Sequence, residues 1–176
     1  FGTEGNGVFY FEESNGRFIK LRDEDKSDSF GMTSIRGIYQ DSEGFFWFAT
    51  LTHGLYKLDE NTGKLTNYQH DSNNPNSLSS NKVVAIFEDS SGIFWVATNE
   101  GLNKFNKQTE TFTQLIHIPN DLKTPSASYV LAIHEDKNGI LWFGTVSGGL
   151  NRLDRTTGMF TYFTEREGLP DNGVYD

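Results

Sequence analysis

From Val83 to Leu115 the chain alternates four short apolar runs, VVAIFED, IFWVAT, GLNKF and TFTQL, with polar turns. Runs of this length, bounded by Gly, Asn, Asp and Ser, predict four β-strands. The same succession occurs upstream, from Ile35 to Tyr68, and downstream, from Val130 to Phe163. Trp47, Trp95 and Trp142 fall 48 and 47 residues apart, and Thr3, Thr50, Thr98 and Thr145 fall 47, 48 and 47 apart. Four strands in each period of about 47–48 residues predict an all-β fold, a β-propeller fragment made of four-stranded antiparallel blades.

The period sets the expected organisation. Residues 1–34 read as a partial blade plus a polar connector, because Phe1-Gly2-Thr3 matches Phe143-Gly144-Thr145 and Phe18 aligns with Phe160. Blades are expected at 35–82, 83–129 and 130–173, and residues 174–176 read as the start of another, with Val174 matching Val83 and Val130. Four complete repeats would need about 190 residues, so the 176 present are read as part of one larger propeller. On that reading the terminal blades expose apolar faces, and the partners expected for them are further blades of the same propeller or a second copy.

Within each period the most regular residues have structural work to do. Every first strand ends in Asp, followed by a turn and Gly: Asp41 to Gly44, Asp89 to Gly92 and Asp136 to Gly139. Asp accepts local backbone hydrogen bonds, and Gly supplies the positive φ that closes the hairpin. Trp follows three residues after each Gly, in runs apolar enough to be covered on both faces. Two residues after Trp stands Ala49, Ala97 or Gly144, small enough to admit a neighbouring blade.

Composition removes several function classes. A net charge of −9, with 24 Asp and Glu against 15 Lys and Arg and no basic run, argues against nucleic acid as a partner. With no cysteine there is no disulfide scaffold, thiolate metal site or Cys nucleophile. No stretch approaches the ~18 apolar residues of a membrane-spanning helix. The histidines, His53, His70, His117 and His134, are read as occupying non-equivalent repeat positions without metal-ligand spacing. His134 aligns with Tyr39 and Phe87 and is expected to pack in the core. No catalytic residue, metal site or cofactor is predicted.

The pattern I-x-E-D-x-x-G-I-x-W-x-A/G-T-x-x-G-L-N-K/R, then T-x-x-F-T, resembles the two-component regulator propeller repeat. It covers essentially the whole chain, and the runs Ser77 to Asn81 and Gly168 to Asn172 match the segment between blades. The resemblance implies the extracytoplasmic sensor region of a membrane-anchored signalling protein, hence a periplasmic location. It further implies an output module such as a histidine kinase, often a hybrid one, or a diguanylate cyclase. Some propellers of similar repeat length are lyases acting on cyclic substrates, and a protein-interaction scaffold is a further alternative.

A ligand would be met on the rim that carries the loops between second and third strands and the connectors between blades. Those connectors are long, at 22–34, 69–82 and 117–129, and loops of this length in a compact repeat tend to have a purpose. The shorter loops differ from repeat to repeat, placing His53, Asn99, Glu100 and Ser147 at corresponding heights. Arg36 stands where the other repeats have Val84 and Leu131, near the start of the innermost strand. Lys82 and Tyr129 precede their first strands on the same rim. These seven residues form the candidate ligand-binding set. Their guanidinium, amide and aromatic groups suit an oligosaccharide or another small polar ligand.

Overall fold

The computed structural model describes residues 1–21 and 33–175, so the predicted connector at 22–34 lies, apart from Thr33 and Ser34, outside the described residues. Strands β1 (Phe9–Glu12) and β2 (Arg17–Lys20) form a two-stranded sheet, extended by a bridge between Gly2 and Val8. Three four-stranded antiparallel sheets follow. They comprise β3 (Ile35–Gln40), β4 (Phe46–Thr50), β5 (Leu55–Leu58) and β6 (Leu65–Tyr68); β7 (Val83–Glu88), β8 (Phe94–Thr98), β9 (Gly101–Asn106) and β10 (Thr111–Leu115); and β11 (Val130–Glu135), β12 (Leu141–Thr145), β13 (Leu150–Asp154) and β14 (Met159–Phe163). Each sheet pairs its strands in sequence order, and β7 contacts both β3 and β11. First strands are therefore innermost and fourth strands lie at the outer edge, as in the blades of a propeller.

Between successive sheets the cores are aromatic. Trp47, fully buried, packs with Phe94 and Phe105 of the next blade, its ring centroid 4.5 Å from that of Phe94. One repeat later Trp95 packs with Leu141, Phe143 and Phe160. Burying one such indole contributes up to about 5 kcal/mol at ~25 cal/mol per Å². Ala49 and Ala97 are fully buried, and at Gly144 a Cβ would meet the Val174 carbonyl oxygen at 2.5 Å. Small residues are thus needed where the next segment enters.

The same polar clamp closes both junctions. At the first, Trp47 Nε1 donates to Asp41 Oδ2 at 2.8 Å, while Asp41 Oδ1 accepts the Glu43 and Phe45 amides. Lys107, from the β9–β10 turn, lies 3.2 Å from Asp41 and 2.8 Å from Glu88. Glu88 also accepts the amide and hydroxyl of Ser42, so one carboxylate ties two blades together. At the second, Trp95 donates to Asp89, Arg155 reaches Asp89 and Glu135, and Ser90 donates twice to Glu135. The turn glycines are left-handed as their position requires, with φ of 90° at Gly44, 77° at Gly92 and 75° at Gly139.

Sheet β11–β14 has no neighbour beyond it among the described residues, and this overturns the expectation for His134. That histidine is exposed rather than packed, whereas Tyr39 and Phe87 at the same position join the cores of their junctions. Trp142 is likewise only partly buried. A second departure is in β3, whose residues alternate between partly buried and exposed instead of forming a covered run. Its outward face borders the two-stranded sheet, leaving a cleft of about 530 Å³ lined by Phe1, Val8, Phe11, Ile38 and Phe48 among others.

The connectors between blades are tied down along their length. Asn76 O accepts the Phe112 amide of β10, and Leu122 O accepts the Phe160 amide of β14. Ser79 N donates to Asn103 Oδ1, and Ser126 N to Asn151 Oδ1. Each connector thus runs along the blade that follows it and pairs part of that blade's outer strand, which would otherwise offer a free edge. Much of their length is accounted for by structure.

Candidate ligand-binding rim

The loops between second and third strands share one construction. Thr50 Oγ1 donates to Gly54 O and accepts the His53 amide. Thr98 does the same with Gly101 O and the Glu100 amide, and Thr145 with Gly149 O and the Gly148 amide. This explains the threonine periodicity. A matching backbone bond links each loop to the residue before the first strand: Leu51 N to Ser34 O, Asn99 N to Lys82 O and Val146 N to Tyr129 O. Lys82 and Tyr129 thereby sit at one height on the rim beside the innermost strands.

Two of the predicted residues meet directly. Lys82 Nζ lies 5.0 Å from the centroid of the Tyr129 ring, bridging adjacent blades through a cation–π contact. Asn99 adjoins them through its bond to Lys82, and its side-chain Oδ1 is buried without a hydrogen-bond partner. A buried acceptor left unpaired costs roughly 1–3 kcal/mol, so this oxygen is suited to a donor supplied from outside.

Arg36 occupies a register shift between Ile35 and Gly37, and Val84 and Leu131 occupy the same shift in their own blades. Such a bulge re-aims the side chain it carries. The Arg36 side chain is exposed and makes no hydrogen bond or ion pair with the described residues. His53 is partly buried, its Nδ1 at 2.8 Å from Thr52 Oγ1 and 3.2 Å from Thr33 Oγ1. Glu100 and Ser147 are exposed. No bond joins Arg36, His53, Glu100 or Ser147 to the Lys82–Tyr129 pair. Val146, exposed beside Tyr129, is a neighbour that the sequence reading did not single out.

The histidines require one correction. His70 and His117 are structurally equivalent, each two residues beyond its fourth strand. Each ring places Nδ1 against a carbonyl eight residues further on, Leu78 O at 2.7 Å and Pro125 O at 2.9 Å. A carbonyl only accepts, so Nδ1 is the protonated nitrogen in both. The equivalence is hidden in the sequence because the third repeat has Glu165 at this position. Among the described residues no group of three or more His, Asp or Glu is placed to hold a metal ion.

Comparison with known proteins places this geometry in context. The two-component regulator propeller model matches residues 29–52, 77–100 and 124–147. No curated protein sequence matches the chain. Among solved structures, the extracellular domain of the hybrid two-component system BT3049 from B. thetaiotaomicron superposes with a TM-score of 0.75 at 23% identity, over 92% of this chain and 22% of that one. Virginiamycin B lyase from Staphylococcus aureus superposes at 0.64 and 20% identity, over 90% of this chain and 48% of that one. U3-55K superposes at 0.60 and 9% identity, over 92% of this chain and 46% of that one. Likenesses at these identities establish the propeller fold. The chain spans between a fifth and a half of those proteins.

Proposed function

Since the chain belongs to the two-component regulator propeller family, we propose that it is part of a ligand-sensing propeller on the extracytoplasmic, periplasmic side of a membrane-anchored sensor. It binds a small polar ligand, an oligosaccharide being the best chemical match, and passes the signal to a histidine kinase in the same protein. The observation that carries this reading is the Lys82–Tyr129 pair beside the unpaired Asn99 oxygen. An aromatic face, an ammonium and an amide acceptor within one rim offer stacking and hydrogen bonding to a sugar. They sit on a frame whose loops differ from blade to blade, and Arg36, whose guanidinium is unpaired among the described residues, stands at the start of β3.

The reading is tested by a thermal-shift screen against a panel of neutral and acidic oligosaccharides, each recovered afterwards and analysed by chromatography. Binding without chemical change is expected, and turnover of any bound sugar would replace the sensor reading with a lyase-like one. A second reading, a protein-interaction scaffold, is favoured by the exposed Ile116, Ile118 and Leu122 on the connector after β10. It predicts that no small molecule shifts the melting temperature.

A further inference from the structure

At both blade junctions a lysine of the third strand lies over the tryptophan of the second. Lys57 is in register with Trp47, and Lys104 with Trp95. Lys57 Nζ stands 5.6 Å from its indole and also reaches across the junction to Glu110 Oε1 at 3.7 Å. Glu110 immediately precedes β10 with a φ of 53°, a left-handed backbone that glycine adopts more readily. Gly63 and Gly158 fill the corresponding places in the other two blades, both at φ 71°. Lys104 Nζ, 4.9 Å from its own indole, therefore faces a turn with Gly158 where a carboxylate would stand. Among the described residues Lys104 makes no hydrogen bond and no ion pair.

We propose that Lys104 is a carbonyl-reactive amine, a site at which small aldehydes, open-chain reducing sugars among them, condense to an imine. Its surroundings meet the two requirements of such a lysine, desolvation and access. The side chain is partly buried. The buried side-chain nitrogens and oxygens without a partner are Asn99 Oδ1 and Arg155 Nε, so the unpaired Nζ of Lys104 still touches solvent. Burial holds its ammonium below the ordinary 10.5, and the charge of Asp89 offsets this only in part. Asp89 is already shared by Trp95 Nε1 and Arg155, and Arg155 brings a second cation from the facing turn. In the reaction the ammonium first releases a proton to water. The neutral nitrogen then adds to the aldehyde carbon, its remaining proton passes to the oxygen, and loss of water leaves the C=N bond. No oxidant or reductant is consumed, and protonation of the imine restores a cation over the Trp95 ring.

Trapping with glycolaldehyde and cyanoborohydride tests this on the full-length protein, at pH values from neutral upward, with labelled lysines quantified by peptide mass spectrometry. Labelling of Lys104 is read as a ratio to that of Lys64, Lys123 and Lys137, which are exposed. The ratio should be highest at neutral pH and fall as the exposed amines lose their protons, whereas mere accessibility would give a ratio independent of pH. Gly158→Glu supplies the missing carboxylate at a position where an added Cβ meets nothing within 4 Å, and should lower the neutral-pH ratio. Glu110→Gly installs the residue that the other two turns carry and should raise the same ratio for Lys57. A Lys104 that stays unlabelled, or a ratio that is flat or rises with pH, would overturn the proposal. So would a Lys57 ratio that Glu110→Gly leaves unmoved.

Discussion

Trp47 and Asp41 are six residues apart and share one hydrogen bond, Nε1 to Oδ2 at 2.8 Å, at the floor of a blade junction. The bond joins the turn that ends the first strand to the side chain that fills the space between blades. It recurs between Trp95 and Asp89 and between Trp142 and Asp136. One aspartate therefore forms the turn, satisfies a buried indole N–H and anchors the neighbouring blade's cation.

Replacing Asp89 with Ala should be among the most damaging single changes. It strips acceptors from the Ser91 and Ile93 amides and from the indole of Trp95, and it removes one partner of Arg155. Losses of this kind sum to about 2–4 kcal/mol. Urea unfolding should show the midpoint falling. A change below ~1 kcal/mol would mean that the junction is held by apolar contact alone.

Lys107→Met separates the clamp from the packing around it. Methionine keeps the stem but leaves Asp41 and Glu88, whose side chains are 0% and 6% exposed, without their shared cation. Breaking such a pair from one side destabilises by roughly 3 kcal/mol. The double variant Lys107→Met with Glu88→Gln should recover part of that loss, measured as coupling in a double-mutant cycle.

Stability should fall in acid, and the clamp sets the window. Burial pushes the carboxyl of Asp41 up, but the bonds from Trp47, the Phe45 amide and Lys107 outweigh it and hold it below its ordinary value of 3.8. Burial raises Glu88 too, and Lys107 with Ser42 brings it below 4.5; Ser90 and Arg155 act likewise on Glu135. A carboxyl lowered by folding stabilises the fold above its unfolded value and loses that contribution as pH drops toward the folded one. Burial lowers Lys107, and Glu88, Glu43 and Asp41 more than reverse this, so its contribution persists up to its ordinary 10.5 and declines only above that. Melting temperature should hold from neutral pH down to about 4.5, drop steeply below it, and drop less steeply in Lys107→Met.

The scaffold was largely legible in the sequence because its residues repeat: Asp41, Gly44 and Trp47 recur with their chemistry intact in each blade. What repeats only in part was harder to read. The equivalence of His70 and His117 disappears where the third repeat has Glu165. The exposure of His134 depends on which faces are covered, and periodicity carries no information about that. The connectors looked like binding loops because length was the only signal they gave, and their hydrogen bonds to Asn103, Phe112, Asn151 and Phe160 form only when the following blade is folded. On the rim, the sequence offered seven candidate residues. Only Lys82, Tyr129 and Asn99 come together there, and that depends on two side chains meeting across a blade boundary.

The rim itself should separate binding from stability. Lys82 and Tyr129 are only partly buried, and the cation–π contact between them is worth about 0.5–1 kcal/mol at such a site. Lys82→Ala and Tyr129→Phe should therefore lower the melting temperature by no more than about 4 °C. Tyr129→Phe keeps the ring and should retain most stacking affinity for an oligosaccharide ligand. Tyr129→Ala and Lys82→Ala should each weaken it about tenfold or more, equivalent to ~1.4 kcal/mol. Asn99→Asp keeps the shape of the side chain while placing a charge at the unpaired oxygen. It should repel acidic sugars, so isothermal titration should show acidic ligands losing affinity more than neutral ones. If all four variants bind as the wild type does, the ligand sits elsewhere on the propeller, and Arg36→Ala becomes the next substitution to titrate.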